Sequence, residues 1–181
     1  MNIITTKIEG LLILEPQIFQ DERGYFYETY QFEKFKGLGI EETFVQDNQS
    51  LSSEGTLRGL HFQKPPFGQA KLVRVVRGRV LDIAVDLRKG SPTYGHYEKV
   101  ELSDQNHRQF FIPIGFAHGF LSLENNTLFT YKCSNYYNKA SEGGLLWNDP
   151  SIEIDWGFSN PLVSAKDQIL PILEGFETPF I

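Results

Sequence analysis

Residues 80–88 read VLDIAVDLR. Leu81, Ile83, Val85 and Leu87 alternate with Asp82, Ala84, Asp86 and Arg88, a period of two that puts the two sets on opposite faces of a β-strand. Before it lies 72–76, another apolar stretch, and Arg77-Gly78 between them suggests a turn. After it, residues 97–102, 109–112, 120–123 and 128–133 repeat the pattern, with turn residues between. Nearer the start, 11–14 and 25–29 are further strand candidates. Fifteen Phe and eight Tyr favour strands over helices. Helix signals are few. Residues 31–36 suit a short helix stopped by Gly37, and Ser164 to Asp167 has capping-box spacing with Pro171 close behind. These features predict an all-β chain, a small barrel or two-sheet jelly roll with short peripheral helices. With no repeat, low-complexity run or linker, 1–181 is expected to form a single domain.

A net charge of −6 and a pI near 5.2 argue against a general nucleic-acid binder. A small anionic ligand would need a local cluster of Arg and Lys working against the overall field. No apolar run approaches the ~20 residues of a membrane span. Lys7 and Glu9 interrupt the first ten residues, which do not read as a signal peptide. Cys133 is the single cysteine, so no intrachain disulfide is available and a cytoplasmic location is expected. Two Asn-x-Ser/Thr triplets, at Asn48 and Asn125, are read as chance.

Residues 110–120 read FFIPIGFAHGF. Pro113-x-Gly115-x-x-His118 resembles the second signature motif of cupin barrels, where the histidine points into the barrel. The companion motif of metal-binding cupins is HxH followed by Glu. Here the corresponding stretch is Gly59-Leu60-His61-Phe62-Gln63, with Gln63 in place of the second histidine and no Glu at the right distance. His96 and His107 fall in turns. Two good ligands without a carboxylate do not make a stable zinc or iron site, so no metal is expected. A single His of this kind is usually a hydrogen-bonded core residue. His61 and His118 together with Arg58, Lys71 and Tyr131 are harder to explain so, because burying that many ionisable groups is costly without compensation.

Longer motifs make the resemblance specific. RGLHFQ (58–63), Pro65-Pro66, QAKLV (69–73), Asp82-x-Ala84-Val85-Asp86-Leu87-Arg88, Ser91-Pro92-Thr93-x-Gly95, Ile112-Pro113-x-Gly115-Phe116-Ala117-His118-Gly119-Phe120, Tyr131-Lys132-Cys133 and Lys166-Asp167 occur in that order. Phe19-x-Asp21-x-Arg23-Gly24-x-Phe26-x-Glu28 precedes them. The set, covering roughly residues 3–170, is similar to the dTDP-4-dehydrorhamnose 3,5-epimerase family.

That resemblance implies a dTDP-linked 4-keto-6-deoxy sugar as substrate, in dTDP-rhamnose biosynthesis, and no cofactor. The C4 ketone acidifies the C–H bonds at C3 and C5, and inversion there needs a base, an acid on the opposite face and a cation or donor for the enolate oxygen. His61 is implied as the base, oriented by Asp167, and Tyr131 as the acid. A phenol is protonated at pH 7 and able to donate. Lys71 is implied at the enolate oxygen, and His118 near the same oxygen or the sugar hydroxyls. Arg23 and Arg58 would hold the diphosphate, and Lys166 would help hold substrate. Glu28, Gln46 and Asn48 would face the nucleoside, Tyr137 would stack on thymine, and Glu142 falls on a further substrate contact. The family is typically a homodimer with an N-terminal strand lent to the partner's sheet, so Arg23 and Glu28 would act either in their own subunit's site or across that interface. On the same scaffold the alternatives are an epimerase acting at C3 alone, a non-catalytic sugar-nucleotide binder, and a metal-dependent cupin.

One geometric difficulty stands out. In a flat strand His61 and Gln63 share a face with Gly59, while Arg58 points away. Arg58 and His61 meet at one site only if the strand twists or bulges, and Gly59 is the natural place.

Overall fold

A computed structural model describes the whole chain, Met1–Ile181. Its strands in chain order are β1 (Asn2–Thr5), β2 (Leu12–Glu15), β3 (Phe19–Asp21), β4 (Gly24–Phe26), β5 (Gln46–Ser52), β6 (Thr56–Gln63), β7 (Lys71–Arg77), β8 (Arg79–Asp86), β9 (Tyr97–Ser103), β10 (Gln109–Ile112), β11 (Phe116–Ser122), β12 (Thr127–Cys133), β13 (Glu142–Gly144) and β14 (Leu162–Val163). One helix, α1 (Phe32–Gly37), is capped by the Gln31 side chain, which accepts from Lys34 N. No helix is long and apolar enough to cross a membrane.

The first sheet runs β1-β2-β10-β7-β12-β5; the second runs β13-β6-β11-β8-β9, with β14 parallel to β6. The two face each other as the expected jelly-roll barrel. Val73 and Val75 of β7, Phe110 of β10 and Phe129 of β12 meet Val80 and Ala84 of β8, Leu102 of β9 and Phe120 of β11 in one core cluster. The alternation in 80–88 is resolved by a second layer. Leu81, Ile83, Val85 and Leu87 turn away from the barrel and pack with Leu145, Trp156 and Phe180 from the C-terminal segment. Asp82 is left on the barrel face of β8, fully buried.

The Asp-x-Ala-Val-Asp-Leu-Arg and Ser-Pro-Thr motifs meet at Asp86. Its carboxylate accepts from Arg88 Nε and Nη2, Ser91 Oγ and Thr93 Oγ1. Burial pushes this carboxyl up, but the four donors outweigh it and hold the pKa at about 2.

Some expected boundaries need correction. Strand 25–29 shrinks to Gly24–Phe26, half of a two-stranded hairpin with β3, because this hairpin stands off the barrel with Phe19, Tyr25 and Phe26 exposed. Segment 164–170 forms a three-residue 3₁₀ turn, Asp167–Ile169, rather than an α-helix. β3, β5, β13 and β14 were not expected as strands, and the N-terminal strand β1 pairs with β2 of its own chain. β5 (QDNQSLS) is polar enough to read as loop, since only one of its faces meets the barrel.

Candidate active site

The expected bulge is present in β6. Arg58 pairs with Phe120 and His61 with His118, so three steps along β6 match two along β11. The irregularity falls at Gly59, whose φ is +133°. A Cβ there would lie 2.5 Å from Gly119 Cα and 2.9 Å from the His118 carbonyl oxygen, so glycine is required by close approach as well as by φ. The extra residue resets the alternation. Leu57, Leu60 and Phe62 pack into the outer layer, while Arg58 and His61 both face the barrel mouth.

That mouth is a cleft of about 580 Å³ lined by Arg58, His61, Lys71, His118, Tyr131 and Asp167, among others. A second lobe of about 320 Å³ adjoins it, sharing His61, Lys71 and Tyr131 and adding Gln46, Tyr137 and Glu142. The polar outer groove carrying Arg74 and Lys132 is on the far face of the first sheet and holds none of the expected catalytic groups except the edge of Tyr131.

His61 Nε2 lies 2.7 Å from Asp167 Oδ1. Asp167 is buried, and its other oxygen accepts from Gly59 N at 3.5 Å. Burial raises its pKa; the His61 bond, the His61 charge and the Gly59 N–H together outweigh that and bring it below the ordinary value. An ionised carboxylate only accepts, so Nε2 carries a proton, and in the neutral ring Nδ1 is the nitrogen left with a lone pair. Half of the predicted capping box also forms, since Asp167 N donates to Ser164 Oγ. The carboxylate itself is turned to the histidine, so the other half of the box does not form.

His118 is buried, with Nε2 3.0 Å from both oxygens of Asp82. Burial outweighs the attraction of Asp82 and drives the imidazole pKa down. It is therefore uncharged at pH 7, and burial raises the Asp82 carboxyl as well, so the two share their proton within a buried pair. Sequence reasoning missed Asp82 as its partner; the signal was a carboxylate on the barrel face of an otherwise apolar strand.

Lys71 opens β7 opposite these two. Its ammonium donates to the His61 carbonyl at 3.5 Å. Burial lowers its pKa, against the pull of Cys133, Asp82 and Glu142. Tyr131 projects from β12 beside Phe129. Burial raises its phenol pKa, with nearby Arg58 opposing. His61 belongs to one sheet and Tyr131 to the other, so they face each other across the cleft.

At the mouth, Glu142 pairs with Lys166 and accepts from the Tyr137 hydroxyl at 3.1 Å. The Lys166 bond is the main reason its pKa lies low. Gln46 Nε2 donates to Asn48 Oδ1, and Asn48 to Cys133 Sγ. Arg58 is steadied by Ser52 Oγ and the Leu51 carbonyl. Arg23 and Glu28 are not among the lining residues. Arg23 sits on the exposed hairpin paired with Asp21, and Glu28 pairs with Lys34. No group of three or more His, Cys, Asp and Glu side chains is arranged to hold a metal ion, because each cleft histidine is matched to one carboxylate.

Comparison with known proteins gives this geometry its family. The model of the dTDP-4-dehydrorhamnose 3,5-epimerase family matches residues 5–175. The dTDP-4-dehydrorhamnose 3,5-epimerase of Salmonella typhimurium is 52% identical over 176 residues, 96% of each chain. A dTDP-4-dehydrorhamnose 3-epimerase of Streptomyces niveus is 40% identical, over 93% of this chain and 82% of that protein. The crystal structure of the Legionella pneumophila dTDP-6-deoxy-D-glucose-3,5-epimerase in complex with dTDP-4-keto-L-rhamnose superposes with a TM-score of 0.93 at 48% identity, covering 97% of this chain and 94% of that one. The chain belongs to the dTDP-4-dehydrorhamnose 3,5-epimerase family.

Proposed function

We propose that this chain converts dTDP-4-dehydro-6-deoxy-D-glucose to dTDP-4-dehydro-L-rhamnose by inverting C3 and C5. The observation that carries this is the His61–Asp167 pair facing Tyr131 across one cleft, with Lys71 beside both.

Neutral His61 takes the proton from the carbon next to the ketone through Nδ1 and becomes an imidazolium, which the Asp167 carboxylate stabilises. The electron pair moves onto the C4 oxygen, where the Lys71 ammonium balances the charge. Tyr131 returns a proton to the opposite face and becomes a phenolate, which the Arg58 charge favours. Exchange with solvent resets both groups before the second carbon is treated. His118, held by Asp82, adds a hydrogen bond at the same oxygen or at the sugar hydroxyls. Arg58 and Lys166 hold the diphosphate end, and Gln46, Asn48, Tyr137 and Glu142 the nucleoside end.

Arg23 and Glu28 complete the site from a second copy. The support is the β3–β4 hairpin, which carries Phe19, Tyr25 and Phe26 at 56%, 56% and 70% exposure. Apolar surface of that kind on a projecting hairpin is a contact without its counterpart. The working form is thus a homodimer. The single thiol, buried and unpaired, fits a cytoplasmic setting. Greater identity to the 3,5-epimerase than to the 3-epimerase favours inversion at both carbons.

The test is His61→Ala. Product formation, followed by proton NMR without added metal, should fall by roughly 10³-fold or more while dTDP still binds. A variant that turns over at the parent rate would remove His61 from the chemistry; a parent that binds dTDP and never turns over would make the chain a binding protein.

A further inference from the structure

Between β12 and β13 the chain crosses from one sheet to the other, past the mouth of the cleft, through residues 134–141. Tyr137 sits there, 53% exposed. Its hydroxyl is held by Glu142, and the backbone beneath the ring is held along its length by side-chain amides. Gln69 Nε2 donates to the Asn135 carbonyl at 2.8 Å. Gln46 Oε1 accepts from Tyr137 N at 3.0 Å. Gln63 Oε1 accepts from Asn138 N at 2.8 Å while its Nε2 donates to the Asn138 carbonyl at 3.1 Å.

Gln63 makes the closest match. Asn138 has φ −127° and ψ 115°, an extended residue whose N–H and C=O point to the same side. A carboxamide presents one acceptor and one donor side by side, so a single side chain pairs with both as a neighbouring strand would. Gln63 is 5% exposed and is rooted in β6 two residues beyond His61. An imidazole at this position offers no such adjacent pair. The position that carries the second metal-ligating histidine in metal-binding cupins is committed here to the backbone beside Tyr137.

We infer that Gln63, with Gln69 as the second anchor, is a positioning residue for the nucleoside end of the ligand. Its amide fixes the loop backbone so that the Tyr137 ring is presented ready to stack on a pyrimidine base. This rests on the reading of Tyr137 as the base platform. Ordering the ring beforehand removes that cost from binding.

Titration calorimetry with dTDP and with inorganic pyrophosphate tests it, on Gln63→Met, Tyr137→Ala and the double variant. Gln63→Met should weaken dTDP binding about tenfold, as two lost hydrogen bonds imply, and change pyrophosphate binding less than about twofold, within the scatter of one hydrogen bond. In the Tyr137→Ala background the same substitution should have almost no effect on dTDP. Equal loss in both backgrounds, equal loss for pyrophosphate, or unchanged dTDP affinity would overturn the inference. Should Gln63→Met not fold, Gln69→Met takes the same cycle, with the same coupling to Tyr137 expected and its absence decisive. If Tyr137→Ala binds dTDP like the parent, the platform and this inference fall together, whereas the epimerase reading stands or falls separately on turnover of the His61 variant.

Discussion

Asp167 does two jobs with one residue. Its backbone N–H takes the Ser164 hydroxyl, and its carboxylate takes the His61 ring and the Gly59 N–H. The capping-box spacing was legible in the sequence; the direction of the carboxylate was not, because it depends on a strand more than a hundred residues upstream. Asp167→Asn keeps the shape but no longer stabilises an imidazolium. It should lower kcat/KM by roughly 10- to 10³-fold, within the range of general-base effects, with dTDP affinity measured by calorimetry almost unchanged. Lys71 gives a second prediction. Burial lowers its pKa, so its ammonium is lost as pH rises before the ordinary lysine range near 10.4 is reached. The rate should therefore fall on the alkaline side earlier than an exposed lysine would dictate. A pH–rate profile of Lys71→Arg, whose guanidinium stays charged, should lose that limb even if the plateau is lower. An unchanged limb in this variant would assign it to another group.

Among the elements, β6 decides whether a site exists. The difficulty of bringing Arg58 and His61 together was visible from strand parity, and so was Gly59 as the remedy. The apolar spacing Leu57, Leu60, Phe62 is the sequence trace of the same bulge, three residues and then two between outward-facing positions. Other parts were less legible. The polar strand β5 hid its pairing with β12, since it buries only one face at the cleft. The alternation in 80–88 was clear, but its meaning depended on the C-terminal layer formed by Leu145, Trp156 and Phe180. Asp82 went unnoticed for that reason. Gly59→Ala places a Cβ against Gly119 and demands φ +133° of an alanine. Strain and overpacking together should cost about 3 kcal/mol in denaturant unfolding and detach Arg58 from the cleft. A loss below ~0.5 kcal/mol, the size of an ordinary surface change, would mean that the bulge is not tightly packed.

At the scale of the whole molecule, the acidic chain gathers Arg58, Lys71 and Lys166 at one cleft, the local concentration of cations that a net charge of −6 made necessary for an anionic ligand. Arg23 and Glu28, the remaining expected contacts, stand on or next to the exposed hairpin instead. Phe26→Asp should shift sedimentation from dimer toward monomer and weaken dTDP binding together; a variant that remains dimeric would show that the hairpin is not the contact. The family's motifs were legible along nearly the entire sequence, whereas the meeting of residues 58, 61, 71, 118, 131 and 167 at one mouth required the folded barrel. The most direct test of the central claim is to incubate the protein with dTDP-4-dehydro-6-deoxy-D-glucose in D₂O and follow the H3 and H5 signals by proton NMR. Loss of both signals, abolished in His61→Ala, is the predicted result; loss of H3 alone would make the enzyme a 3-epimerase, and retention of both in a protein shown to bind dTDP would contradict the account.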